Sequence, residues 1–154
     1  VLTPDFRNYA PAFEKVFKAE PDIFSHNIEC VERVSRQVRP QSDWNRSLSV
    51  LQASIEWGLK TKTGMMVGLG ENDSEVLETM QEIAELGITI FNIGQYLQPT
   101  LNHLPVQRFV HPDIFKMYKE RGLEMGFRVV ESGPLVRSSY HADEQARQLS
   151  DIYN

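Results

Sequence analysis

Thr61-Lys62-Thr63-Gly64-Met65-Met66-Val67-Gly68-Leu69-Gly70-Glu71-Asn72-Asp73-Ser74-Glu75-Val76 carries the chain from a strand into a helix. Its first seven residues predict a strand, and Gly68 and Gly70 break it. Asn72 and Glu75 then stand at the spacing of a capping box, in which each side chain satisfies an otherwise unpaired backbone amide at a helix start. Val76, Met80, Ile83 and Ala84 follow at helical spacing, and Gly87 predicts the end of that helix. Residues 88–93 are apolar and β-branched again, so strand, helix and strand succeed one another. Such a unit folds most readily as two parallel strands joined by a crossover helix.

The same rhythm extends outward. Residues 1–3, 23–28 and 127–130 predict further strands. Phe13, Val16 and Phe17 mark a helix that ends near Glu20-Pro21, because proline disfavours a helical residue before it. Leu48, Leu51 and Ile55 follow Asp43, a cap residue, in a helix that stops near Gly58, while Pro112 opens a helix with Ile114, Phe115 and Tyr118 inward that closes near Gly126. The expected fold is α/β with mainly parallel strands. Four or five strands cannot close an eight-stranded barrel, so a partial (βα) barrel, an arc with open edges, is expected over residues 1–142. Residues 143–154 are expected to be a frayed helix or disordered tail.

At 154 residues, with 41% hydrophobic and 24% charged side chains, the chain suffices for one domain with a sizeable core. A net charge of -5 disfavours a surface that tracks nucleic-acid phosphates. The longest apolar runs, residues 64–70 and 88–93, fall well short of the roughly 20 residues that span a bilayer. Neither nucleic acid nor membrane is therefore an expected partner. Cys30 is the single cysteine, which excludes an internal disulfide and any site built from several local thiolates. The start at Val1, without methionine or leader, is expected to lie within a larger protein.

Chemistry is expected at the carboxyl ends of the strands, where α/β barrels place it. Gly64 and Gly68 would let a flat ring approach the backbone, and the soft thioether of Met66 would lie against such a ring. Glu71 either joins that site or favours the following helix N-terminus. Alternation places Asn27 and Glu29 on one side of the second strand, where they would hold ribose hydroxyls and an ammonium group or else tie loops together. His26, on the opposite side, reads as a packed histidine. Gln95, Tyr96, Leu97 and Gln98 follow the fourth strand at the same mouth, with Tyr96 alternatively a core aromatic whose hydroxyl reaches a partner. His103 and His111 have no second close ligand type and receive no metal role. Cys30 reads as a small buried hydrophobe.

Gly64-Met65-Met66-Val67-Gly68-Leu69-Gly70-Glu71 also fits a G-x-I-x-G-x-x-E pattern of radical S-adenosylmethionine enzymes, with Met66 in the isoleucine place. The loop Gly133-Pro134-Leu135-Val136-Arg137-Ser138-Ser139-Tyr140-His141-Ala142-Asp143 closely resembles the carboxy-terminal signature of lipoyl synthase. The resemblance includes Leu2-Thr3-Pro4-Asp5-Phe6-Arg7, His26-Asn27-Ile28-Glu29, Val38-Arg39-Pro40, Gly94-Gln95-Tyr96-Leu97 and His103-Leu104-Pro105-Val106, in the family's order and spacing.

The resemblance implies an enzyme with two 4Fe–4S clusters and S-adenosylmethionine, which inserts sulfur at C6 and C8 of a protein-bound octanoyl chain to form the lipoyl cofactor. It implies cofactor-binding roles for Asn27, Glu29, Gly64, Met66, Gly68, Glu71, Gln95, Tyr96 and Leu97. It also implies an iron ligand at Ser139, in preference to Ser138, with Arg137 and Tyr140 beside it. Implied partners are octanoylated lipoyl-carrier domains and an electron donor such as ferredoxin or flavodoxin, in the cytoplasm or, in a eukaryote, in mitochondria or plastids. The family's two cysteine triads are expected before Val1, which makes these residues a carboxy-terminal half, inactive alone. The alternative is a nonenzymatic half-barrel that docks to lipoyl carriers.

Overall fold

A computed structural model describes residues 1–139. Tyr140 and the tail expected at 143–154 lie outside the described residues. Strands β1 (Phe24–Ser25), β2 (Thr61–Val67), β3 (Ile90–Gln95) and β4 (Val129–Gly133) form one parallel sheet in that order. Helices α1 (Ala10–Phe17), α2 (Glu32–Val38), α3 (Trp44–Glu56), α4 (Asp73–Glu85) and α5 (Pro112–Met125) fill the connections. The arrangement is the expected α/β arc, part of a (βα) barrel.

The two faces of the arc differ in chemistry. Met65, Val67, Phe91, Ile93 and Val130 face the helices and join Val76, Met80 and Ile83 of α4 and Phe115 and Tyr118 of α5 in the main core. A second cluster holds α1, with Phe13 and Phe17 packed on Phe24 and Val50. The Phe17 and Phe24 rings meet edge to face at 5.0 Å, the arrangement that aromatic quadrupoles favour. Alternation turns Lys62, Gly64, Met66, Asn92, Gly94 and Glu131 to the opposite, concave face. Burial pushes the Lys62 ammonium down to about 8, against the pull of Glu131.

Several boundaries differ from the sequence expectations. Residues 1–3 make only a bridge from Leu2 to Ser25, and the strand expected over 23–28 is regular only at Phe24–Ser25. The cause is one extra residue. His26 N bonds Lys62 O, but the next bond to β2 comes from Glu29 N to Gly64 O, three residues on against two. Such a bulge re-aims side chains, and Glu29 is held at a left-handed φ of 71°. α1 stops at Phe17, three residues earlier than Pro21 alone suggests, and Glu20 turns the chain at φ 48°. β4 runs to Gly133, because its ladder follows β3 to Gly94 rather than ending with the apolar run. Helix α2 was not anticipated. Its buried face is only Val34 and Ser35 with Val38 half-buried on the core, a pattern too short for periodicity to detect.

The capping box at α4 is formed in full: Asn72 Oδ1 accepts from Glu75 N at 2.9 Å, and Glu75 Oε2 accepts from Asn72 N at 2.9 Å. Arg33 of α2 donates to both Glu75 oxygens, at 2.6 and 3.0 Å, and to Gly70 O at 2.8 Å, which clips α2 to the strand-to-helix turn. Asn72→Ala is expected to lower stability by about 1 kcal/mol in urea unfolding, the usual cost of a lost side-chain cap. The Arg33 hydrogen bonds, with the Asn72 amide, hold Glu75 down to about 2 against an ordinary 4.5. A depressed carboxylate stabilises above its unfolded value, so this contribution is lost as pH falls from about 4.5 towards 2. An acid series of melting temperatures for wild type and Glu75→Gln checks the sign: the gap between them should narrow through that window.

Candidate functional site

A pocket of about 200 Å³ opens at the carboxyl ends of β2 and β3. Asn27, Glu29, Gly64, Met66, Gln95 and Leu97 all line it, together with Arg137 and Ser138 of the signature loop. The structure therefore gathers most of the sequence-predicted residues around one opening. Asn92, Gly94 and Val136 line it as well and were missed. Asn92 had a visible signal, a lone amide within the otherwise apolar Phe91-Asn92-Ile93.

Glu29 is the charged centre of the wall. Burial raises its pKa, opposed by Arg39 and by a hydrogen bond from Asn27. Arg39 Nη1 reaches Glu29 Oε1 at 3.3 Å, so the carboxylate keeps a counter-ion while lining the opening. Asn27 Oδ1 and Asn92 Oδ1 are buried and have no hydrogen-bond partner among the described residues. A buried acceptor left unpaired costs about 1–3 kcal/mol, so two beside one pocket point to a ligand rich in N–H or O–H donors.

Gly68, Glu71 and Tyr96 stand behind the pocket rather than at its surface. Gly68 has φ 102°, and a Cβ there would collide with the Arg108 carbonyl and the Gln95 amide. Its carbonyl accepts from Gln107 N at 2.8 Å, beneath the long connection after β3. The Glu71 carboxylate accepts from Gly68 N at 2.6 Å and Leu69 N at 2.9 Å, which fixes the turn itself. Tyr96 is buried and its hydroxyl donates to Leu104 O at 2.8 Å. Gln95 reaches the pocket, yet its amide is engaged by Arg108 O, Tyr96 O and Val110 N. His26 points to the helix side, bonding Thr3 O at 2.9 Å and Ser47 Oγ at 3.0 Å, as alternation requires. Ser139 is exposed next to Ser138, and Tyr140 lies outside the described residues.

Residues 1–83 match the family described as the Radical SAM superfamily. The chain belongs to the radical SAM superfamily. It is 55% identical over 147 residues to the lipoyl synthase of Rubrobacter xylanophilus, covering 94% of this chain and 46% of that protein. It is 53% identical over 148 residues to the lipoyl synthase of Pseudomonas aeruginosa strain LESB58, with 94% and 45% covered. The Stutzerimonas stutzeri lipoyl synthase is 51% identical over 148 residues, with 94% and 46% covered. The chain thus spans less than half the length of the curated relatives it matches.

A radical SAM protein implies S-adenosylmethionine and an iron–sulfur cluster. The pocket fits the first: ribose hydroxyls, an adenine amine and an ammonium group are the donors that the unpaired Asn27 and Asn92 oxygens lack. A whole cluster does not fit the described residues, none of which form a group of three or more His, Cys, Asp or Glu able to hold a metal. Cys30 is buried, and desolvation together with Glu29 and Glu71 pushes its thiol up to about 12. It is a packing residue of the main core, not a thiolate ligand. In the folded radical SAM chain at pH 8, Cys30 should react with Ellman's reagent far more slowly than after unfolding in guanidinium. Prompt stoichiometric reaction in the native state would contradict this environment.

Proposed function

We propose that this chain forms the adenosyl-binding side and the signature loop of a lipoyl synthase. The observation that carries the reading is the pocket in which Asn27, Glu29 and Met66 meet the segment that contains Arg137 and Ser138. Similarity to lipoyl synthases along nearly the whole chain supports it. The chemistry supplied by bound S-adenosylmethionine and two 4Fe–4S clusters, on this reading, is hydrogen abstraction and sulfur insertion at C6 and C8 of a protein-bound octanoyl chain.

The chain's own residues bind, orient and exclude water. Asn27 and Glu29 accept from ribose hydroxyls, and Arg39 stands beside the Glu29 carboxyl group as its counter-ion. Met66 lies against the adenine, while Leu97 and Val136 limit water at the rim. Gly68, Glu71, Gln95 and Tyr96 contribute by holding the wall. Ser139 would hold one iron of a cluster through a hard oxygen, a poorer match for that iron than thiolate. Arg137 offsets the anionic charge there, and Tyr140 offers a hydrogen bond. The cluster thiolates come from polypeptide other than these 154 residues, because Cys30 is their single cysteine. Octanoylated lipoyl-carrier domains are the protein substrate and ferredoxin or flavodoxin the reductant, in the cytoplasm or, in a eukaryote, in mitochondria or plastids.

Calorimetric titration of the full-length protein with S-adenosylhomocysteine tests the pocket: Asn27→Leu and Glu29→Gln should each bind about tenfold more weakly, the effect of one lost hydrogen bond of about 1.4 kcal/mol. Unchanged affinity in both variants would overturn the assignment. Ser139→Ala should alter the Mössbauer spectrum of one cluster while Ser138→Ala leaves it unchanged, and identical spectra for all three proteins would remove the iron-ligand role. The 154-residue polypeptide alone should stay colourless after reconstitution with iron and sulfide.

A further inference from the structure

Asn92 lies in the middle of β3, 3% exposed, between Gly64 of β2 and Glu131 of β4 in register. Its amide has two ends with different fates. Nδ2 donates to Arg137 O at 3.1 Å, whereas Oδ1 has no partner among the described residues. Among those residues this is the one side-chain hydrogen bond that joins β2 or β3 to residues 136–139. The segment also lies directly on β3 two residues further along, where a Cβ on Gly94 would collide with the Val136 carbonyl. Asn92, Gly94, Val136, Arg137 and Ser138 line the same pocket.

We propose that Asn92 is a positioning residue that couples ligand binding in the pocket to the placement of residues 136–139. A ligand N–H or O–H donates to Oδ1, which fixes the amide plane and thereby holds Nδ2 on Arg137 O. Donation into the carbonyl end of an amide also polarises its N–H groups, so the two hydrogen bonds strengthen one another. Ligand arrival then orders the backbone that carries Ser138 and Ser139. The inference rests on the adenosyl reading of the pocket and extends it to a residue that the strand-end motifs do not include. An aliphatic side chain of similar size removes both bonds, whereas a hydroxyl, both donor and acceptor, retains one or both.

The test compares full-length wild type, Asn92→Leu and Asn92→Thr in two measurements: calorimetric titration with S-adenosylhomocysteine, and hydrogen–deuterium exchange of residues 135–139 with and without saturating ligand. In wild type, ligand should slow exchange of the segment. Asn92→Leu should bind about tenfold more weakly, and its segment should exchange equally fast with and without saturating ligand. Asn92→Thr should recover part of both effects, which separates coupling from a general loss of folding. Wild-type affinity in Asn92→Leu, or equal slowing of its segment at saturation, overturns the coupling alone. Failure of wild type to bind S-adenosylhomocysteine overturns the adenosyl reading and this inference with it.

Discussion

The register between β2 and β3 is the constraint on which the rest depends. It sets Gly64 beside Asn92 and Met66 beside Gly94, so each wall position with little or no side chain lies next to one that fills space. A slip of one residue would turn Met65 and Ile93 towards the concave face and expose the core residues that hold α4 and α5. The helices thus enforce the register from outside, and the pocket inherits it. β4 continues the arrangement by pairing Gly133 with Gly94, which leaves room for the turn that returns Val136 over β3.

Polar residues at the mouth fall into two groups by whether the protein itself already satisfies them. Glu71, Gln95 and Tyr96 bond backbone atoms of the turn after β2 and of the long connection after β3. These bonds hold irregular chain in place without strands or helices, and they are why that connection can be long and still fixed. Asn27 and Asn92 have oxygens unmatched among the described residues, and Glu29 is matched by an exposed arginine that leaves it open to the pocket. One sequence motif can therefore contain both kinds of residue, and hydrogen-bond accounting rather than motif membership separates them.

The sequence made the α/β class, α4 with its capping box and the ends of α3 and α5 legible, because each depends on local chemistry: Asn72 with Glu75, Asp43 donating nothing but accepting from Arg46 N, and Gly126 in the left-handed conformation. The short first strands were not legible, since the extra residue before Glu29 is visible only against Lys62 and Gly64 of the next strand. Asn27 and Glu29 were expected at the mouth from alternation, and both line the pocket, Glu29 by way of the bulge and its left-handed backbone rather than a regular ladder. Asn92 was missed although its lone amide in an apolar run was visible, and its role rests on the one amide end that lacks a partner among the described residues. The positions of Gly68 and Glu71 behind the wall likewise depend on a connection folded over them, and that is a tertiary fact.

The concave face gives the architecture its direction. The convex face is sealed by aliphatic and aromatic packing; the inner face sets Lys62 beside a small apolar patch of Ile90 and Val129, and carries Asn92 and Glu131 in the next row. Partly desolvated ammonium and amide groups are poor material for a core, as the depressed Lys62 pKa shows. An arc built this way stabilises itself from the outside through its helices and leaves the inside chemically unfinished, which is the condition under which a small cluster of unmatched oxygens can select a ligand.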